Sequence, residues 1–380
     1  MNINYKERIF GLDFMRAVAI LFVVFSHALW IFPDASGSFV DVLHLVGVMG
    51  VEIFFVLSGF LIGRILFRIF TKPDFKHQDI HYFLIRRWFR TIPNYYLALL
   101  INIGIVLYFG RELPDSIASY FFFLQNAVGG MDIFFTESWS LPIEEFAYIL
   151  CPFLLYATLL FNLKIAKQKL FLFVTLTILL LFLCTKTIYN FITPSSDMND
   201  WNINLKAVVL YRIDAIYYGV LAAYLSLTFK SFWLQHKNLF LFIGITAFLT
   251  MHFWISSQSI IIKEYPFFWN VLYLPVCSIC IALSLPFLSQ WKVTSTLGLR
   301  FITNLSLISY AMYLLHYSII LQLMRYFYPI ESLQFSEKLF FTFVYIFLTV
   351  ILSYVFYHIY EKPMMNIRDK AYFRKKYTKL

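Results

Sequence analysis

GLDFMRAVAILFVVFSHALWIF, residues 11–32, decides the fold class of this chain. A helix needs about 20 consecutive apolar residues to cross roughly 30 Å of hydrocarbon, and this run has that length. It nonetheless carries Arg16 and His27. Eleven residues at about 100° each make three turns plus roughly 20°, so both side chains share one face, about 16 Å apart along the axis. Ionisable groups within a bilayer are costly and by default mark function. The pair predicts a membrane protein that does chemistry across the bilayer.

Working outward, the same pattern repeats. The chain has 380 residues, 61% hydrophobic and 14% charged, where a soluble domain carries about 25% charged residues. The apolar excess recurs as separate runs that predict ten spans: 10–32, 44–70, 88–109, 140–161, 169–187, 205–228, 238–255, 266–288, 302–327 and 339–360. Many of the 45 Phe and 26 Tyr flank these runs, as an interfacial aromatic belt does. The expected class is an all-α, polytopic integral membrane protein. A further apolar stretch, 117–128, is too short to span and reads as interfacial or re-entrant. The first run is too long for a cleavable signal, and no small-x-small site follows it. Cys277 and Cys280 form a CxxC spacing. With no second Cys/His pair nearby they read as packing residues, and no metal is expected.

Lys and Arg placement orients the spans. The N-terminus, the even-numbered connections and the C-terminal tail together carry 23 of them. The odd-numbered connections carry 6: Arg111, Lys186, Lys206, Lys263, Arg325 and Lys338. Both termini are therefore expected in the cytoplasm, and the tail near anionic lipid headgroups. The net charge of +10 is mainly this bias, which argues against a nucleic-acid partner. No soluble domain is expected to be appended.

Orientation places residues by depth. Arg16 falls in the cytoplasmic half and His27 in the outer half. The fourth span opens with ESWSLPIEEFAYIL, residues 137–150, and Glu144 and Glu145 lie just over one turn in, at about the depth of His27. A carboxylate near an imidazole fixes its tautomer and raises its basicity. Interfacial groups snorkelling to water are the other reading. It is preferred for Glu145, whereas Glu144 has His27 as a partner at similar depth.

Arg86, Arg87 and Arg90 open the third span in FLIRRWFRTIPNYY, residues 83–96. Arginines there are common as topology signals, but guanidinium groups also bind phosphates with forked hydrogen bonds. Arg16 at similar depth tips the balance toward an anion site. In the second span Gly59 and Gly63 are spaced for close helix approach, and Glu52 near the outer end is placed toward the His27 cavity. Arg212 and Asp214 cannot face one another at i, i+2, so each needs a partner elsewhere and an interior polar network is implied. Tyr310, Tyr313 and His316 share one face of the ninth span, where a hydrogen-bonded core histidine is the preferred reading. Pro363 is expected to stop the last helix.

Seven segments then carry a resemblance: GLDFMRAVAILFVVFSH, GVEIFFVLSGFLI, RRWFRTIPNYY, WSLPIEEFAY, YRIDAIYYG, SYAMYLLH and YEKP, in that order. Together they resemble the acyltransferase 3 family, bacterial membrane proteins that acylate cell-surface and secreted carbohydrates. Arg16 and His27 look like its Arg-x10-His spacing, Arg87 and Arg90 like its RxxR signature, and Glu144 like the glutamate of its WSLxxE segment. Pro142 and Ala147 depart from that segment, where a small polar residue and an aromatic are commoner. The resemblance implies a ten-helix transmembrane acyltransferase domain over residues 1–363, followed by a basic cytoplasmic tail, 364–380. It further implies a multi-pass protein of the inner membrane that moves an acetyl group from cytosolic acetyl-CoA to a glycan outside.

On that reading Arg86, Arg87 and Arg90, joined by Arg16, hold the CoA phosphates or the pantetheine end. His27 is a general base on a sugar hydroxyl or an acyl-carrying nucleophile, with direct transfer preferred, and Glu144 orients it. Glu52, Arg212, Asp214 and Trp139 are expected around the acceptor, with Arg212 or a helix dipole stabilising the oxyanion. Transfer is expected to finish within the membrane domain. A glycan transporter without acyl transfer is the rival class; a larger acyl group such as succinyl and a non-carbohydrate acceptor also stay open. Oligomeric state is not legible.

Overall fold

The computed structural model describes residues 8–161, 164–193, 197–292 and 297–368. Among them nine helices are long and apolar enough to cross a membrane, and a bent pair makes ten. In chain order they are α1 (Phe10–Ile31), α2 (Ser38–Phe70), α3 (His77–Tyr108), α4 (Thr136–Thr158) and α5 (Lys167–Ile192). The bent pair α6 (Met198–Lys206 and Val209–Thr228) follows, then α7 (Lys237–Ser257), α8 (Phe268–Leu288), α9 (Gly298–Phe327) and α10 (Phe335–Ile367). No strand occurs among the described residues, as expected where backbone groups have no water to bond and helices satisfy them internally.

The bundle is centred on α9, 67% of whose apolar window is buried, while α7 at 6% is almost wholly turned outward. The α2–α6 contact is the tightest. A Cβ on Gly59 would lie 1.8 Å from the carbonyl oxygen of Ile216, and one on Gly219 2.0 Å from that of Val56. The small residues of the second span therefore serve close approach, as their spacing indicates.

Several boundaries differ from the sequence reading, each for a physical reason. Helix α3 begins at His77, so Arg86, Arg87 and Arg90 sit inside it rather than at its opening. Helix α5 runs to Ile192 and buries Lys186 completely. That lysine is no loop charge: its ammonium donates to Asp214 on α6, a partner that sequence distance concealed. Pro363 does not end α10. The π-helical turn Tyr357–Glu361 precedes it and the helix continues to Arg368, a local widening of the kind that lets membrane helices absorb proline. The basic tail from residue 369 onward lies outside the described residues.

The 117–128 stretch forms a short helix, Ile117–Phe121, and a loop that turns back into the bundle. Asn126 and Ala127 accept backbone hydrogen bonds of 3.0 and 3.2 Å from Val209 and Leu210. Asn126 also donates its amide to the carbonyls of Trp139 and Ala207. The loop thus satisfies the backbone exposed where α6 bends by 92°, which is how irregular backbone is tolerated at membrane depth.

Candidate active site

Two polar centres lie along the bundle axis. The first is a cavity of about 90 Å³ between α1, α2, α3, α4 and α9. Arg16, Arg87, Arg90, Glu144, Tyr148 and Ser58 contribute its polar lining. Arg16 is held from α9, its Nη1 donating to Ser306 Oγ at 3.2 Å. Ser306 in turn donates to Asp13 at 2.7 Å, and Arg8 binds the same carboxylate. The guanidinium of Arg87 lies 6.0 Å from the Tyr148 ring centre. Glu144 accepts from Tyr148 Oη at 2.6 Å, and that hydroxyl also meets Ser58 Oγ at 2.6 Å. The Glu144 carboxylate sits in the field of Arg90, Arg87 and Arg16. Three guanidinium groups against one carboxylate leave the cavity suited to an anionic or strongly polarised ligand.

The expected partnership of Glu144 with His27 is therefore not what the fold makes. Glu144 belongs to the arginine cavity: α4 begins at Thr136, so this residue lies deeper along the helix than a start at 140 implied. Arg86 is also apart from the cluster: it is exposed on α3 with its Nη1 on Tyr82 Oη at 3.0 Å. Glu145 turns away and accepts from Thr91 Oγ1 at 2.6 Å.

The second centre is a pair of histidines. His316 Nε2 lies 3.2 Å from His27 Nδ1, with the ring centres 4.8 Å apart. The surrounding carbonyls decide the protons. His316 Nδ1 faces the Tyr313 and Met312 carbonyls at 2.8 and 3.1 Å. Carbonyls only accept, so this nitrogen carries hydrogen and Nε2 is left as an acceptor. His27 Nδ1 faces the Val23 carbonyl at 2.9 Å as well as His316 Nε2. Both partners accept, so Nδ1 is the protonated nitrogen and His27 Nε2 holds the available lone pair. His316, not a carboxylate, orients His27. The three-residue steps linking Tyr310, Tyr313 and His316 were the signal for it. What the sequence concealed was that this face of α9 meets α1.

Between the centres stands a 2.7 Å hydrogen bond shared by the hydroxyls of Ser140 and Tyr313. Both residues line the arginine cavity, and the Tyr313 ring is 5.9 Å from that of His316. This tyrosine is the partition between cavity and histidines. Beyond the histidines, a cavity of about 570 Å³ opens beside the 111–136 loop. Asn102, Arg111, Asp132, Gln322 and Tyr317 are among its walls, and Tyr317 also packs 4.8 Å from the His27 ring. The two cavities use opposite ends of α3: Arg87 and Arg90 line one, and Asn102, twelve residues beyond Arg90, the other. That separation is about 18 Å of helix.

Glu52 and Arg212 form a fully buried ion pair, with Ser278 donating to the second Glu52 oxygen at 3.0 Å. Asp214 pairs with Lys186. The interior network implied by Arg212 and Asp214 is present, but Glu52 faces Arg212 rather than the histidines. Trp139 carries Lys206 over its ring at 5.2 Å and meets Phe55 edge-on at 6.0 Å. Cys151, Cys277 and Cys280 are buried free thiols. Among the described residues no cluster of His, Cys, Asp or Glu is arranged to hold a metal ion.

The acyltransferase domain profile of the acyltransferase 3 family matches residues 9–358. This chain belongs to that family. It is 36% identical over 160 residues to YrhL of Bacillus subtilis, whose name carries peptidoglycan O-acetyltransferase as a provisional assignment. That match covers 38% of this chain and 23% of YrhL. It is 33% identical over 157 residues to the peptidoglycan O-acetyltransferase OatA of Listeria monocytogenes, covering 37% of this chain and 23% of that protein. The O-acetyltransferase OatA of Staphylococcus aureus is 31% identical over 158 residues, 37% of this chain and 24% of that one. The matched segments thus span about a quarter of these relatives. No solved structure matches the chain.

Proposed function

We propose that this acyltransferase moves an acetyl group from acetyl-CoA on the cytoplasmic side to a hydroxyl of a cell-envelope glycan on the other. The arrangement that carries the reading is the pair of cavities at opposite ends of α3 with a tautomer-fixed histidine pair between them. The Lys and Arg bias supports an orientation with the arginine cavity and both termini toward the cytoplasm, and we take the membrane to be the inner one. Arg16, Arg87 and Arg90 fit the anionic end or polarised carbonyl of such a donor. A cavity of about 90 Å³ has room for a handful of waters or a small acyl group, which favours acetyl over succinyl. Acetyl-CoA would supply the activated thioester.

The remaining steps belong to the chain. His27 Nε2 takes the proton of the acceptor hydroxyl as oxygen attacks the acyl carbon, and returns it to the departing sulfur. His316 Nε2 accepts from His27 Nδ1–H and steadies the imidazolium while it lasts. Glu144, held by Tyr148, orders the guanidinium groups rather than the histidine. The Ser140–Tyr313 partition must part for the thioester to reach His27, and it otherwise keeps water from the donor. The wider cavity, with amide, carboxylate and guanidinium groups around Tyr317, suits a neutral sugar. The likeness to proteins named for peptidoglycan O-acetylation supports a peptidoglycan-type acceptor.

The test is CoA release by the purified protein in nanodiscs, given acetyl-CoA and muropeptide or lipid-linked saccharide acceptors. Acceptor-dependent release is expected. His27→Ala should lower it about 10²- to 10⁴-fold. Unimpaired transfer by that variant, or glycan movement without CoA release, would overturn the proposal.

A further inference from the structure

His316 stands at the start of an irregular turn that is met from another helix. Over His316–Leu321 helix α9 widens into a π-helical turn, a local distortion frequent at functional sites. The Tyr313 carbonyl, in the turn just before this widening, accepts from His316 Nδ1 at 2.8 Å. The distortion has a visible holder. Glu137, in the 3-10 turn Thr136–Trp139 that opens α4, is 2% exposed. Its Oε1 accepts from both the backbone N–H and the hydroxyl of Ser318, at 3.1 and 2.7 Å. Its Oε2 has no hydrogen-bond partner among the described residues. A buried carboxyl with an unmet oxygen costs stability and calls for a reason.

We propose that Glu137 is a positioning residue for the histidine pair. By drawing the N–H and hydroxyl of Ser318 toward α4 it holds the π-turn open. The open turn presents the Tyr313 carbonyl to His316 Nδ1. His316 is thereby kept as the neutral acceptor of the His27 Nδ1–H. Glu137 touches neither donor nor acceptor and acts only through α9. The inference rests on the proposed role of His27, but its geometric part can be read without any substrate.

The experiment is ¹⁵N NMR of histidine-labelled full-length protein in nanodiscs, for wild type, Glu137→Ala, Glu137→Gln and Ser318→Ala. The shifts of Nδ1 and Nε2 report each tautomer. Wild-type His316 should carry its proton on Nδ1. Glu137→Ala should give a mixture of tautomers at His316. It should also lower kcat about ten- to a hundredfold, part of what a positioned base contributes, with the KM for acetyl-CoA unchanged. Glu137→Gln keeps an acceptor oxygen for Ser318 and should rescue both readouts. Ser318→Ala removes one of the two donors and should shift them partway, which serves if Glu137→Ala does not fold.

Wild-type tautomers in both Glu137→Ala and Ser318→Ala would overturn the inference. So would a Gln variant as impaired as Ala, since the charge rather than the acceptor geometry would then matter. Normal transfer by His27→Ala, with tautomers that respond as expected, would instead remove the proposed function and leave the positioning role standing.

Discussion

Lys186 and Asp214 show how a single buried charge is kept. Both side chains are buried, at 0% and 2% exposure, on facing helices. Removing one partner of a buried pair leaves an uncompensated charge in a low-dielectric interior and typically costs about 3–5 kcal/mol, whereas replacing both by apolar groups is often near neutral. Lys186→Met should therefore sharply lower the melting temperature in detergent, and Lys186→Met with Asp214→Leu should recover most of it. A double variant as unstable as the single one would show the pair to be more than mutual compensation. Glu52–Arg212 differs, because Glu52 also takes the Ser278 hydroxyl. At the site itself, His27 is legible from its spacing to Arg16. His316 is legible only as a histidine on an aromatic face, since its partner lies 289 residues away.

Elements are placed by what lies between them. Helices α2 and α6 touch backbone to backbone at Gly59 and Gly219, and this sets the position of Ser58 and Phe55 at the arginine cavity. A methyl at Gly59 would lie 1.8 Å from a carbonyl oxygen, so the helices would have to part. Gly59→Ala should cost about 1–3 kcal/mol or more and reduce the folded yield. Gly104→Ala, with nothing within 4 Å of the added carbon, should cost nothing, and thermal unfolding of the two compares them. The glycine spacing was visible in the sequence because it repeats within one helix. The bend in α6 and the π-turns in α9 and α10 were not. The residues that meet these irregular stretches are far away in the chain: Asn126 accepts from Val209 at the α6 bend, and Glu137 accepts from the Ser318 N–H in the α9 turn.

At the scale of the whole molecule, orientation follows from charge. Exposed Lys72 and the cavity residue Arg111 lie in connections at opposite ends of α3. In a cysteine-free background, a cysteine at 111 should react with an impermeant maleimide in intact cells. One at 72 should react only after lysis. The reverse pattern would invert the assignment of the two cavities and with it the direction of transfer.

Hydropathy and motif order by themselves determined an all-α membrane protein, ten candidate spans among the described residues with the bent α6 as one, and the family. These are properties of segments, and the bilayer imposes them on any chain that crosses it. Which polar residues meet was decided only in the tertiary structure. Glu144 went to the arginines, His316 to His27, Glu52 to Arg212 and Lys186 to Asp214. Depth along an axis can be counted from a sequence. The rotation of each helix, and the helix it faces, depend on packing between surfaces far apart in the chain.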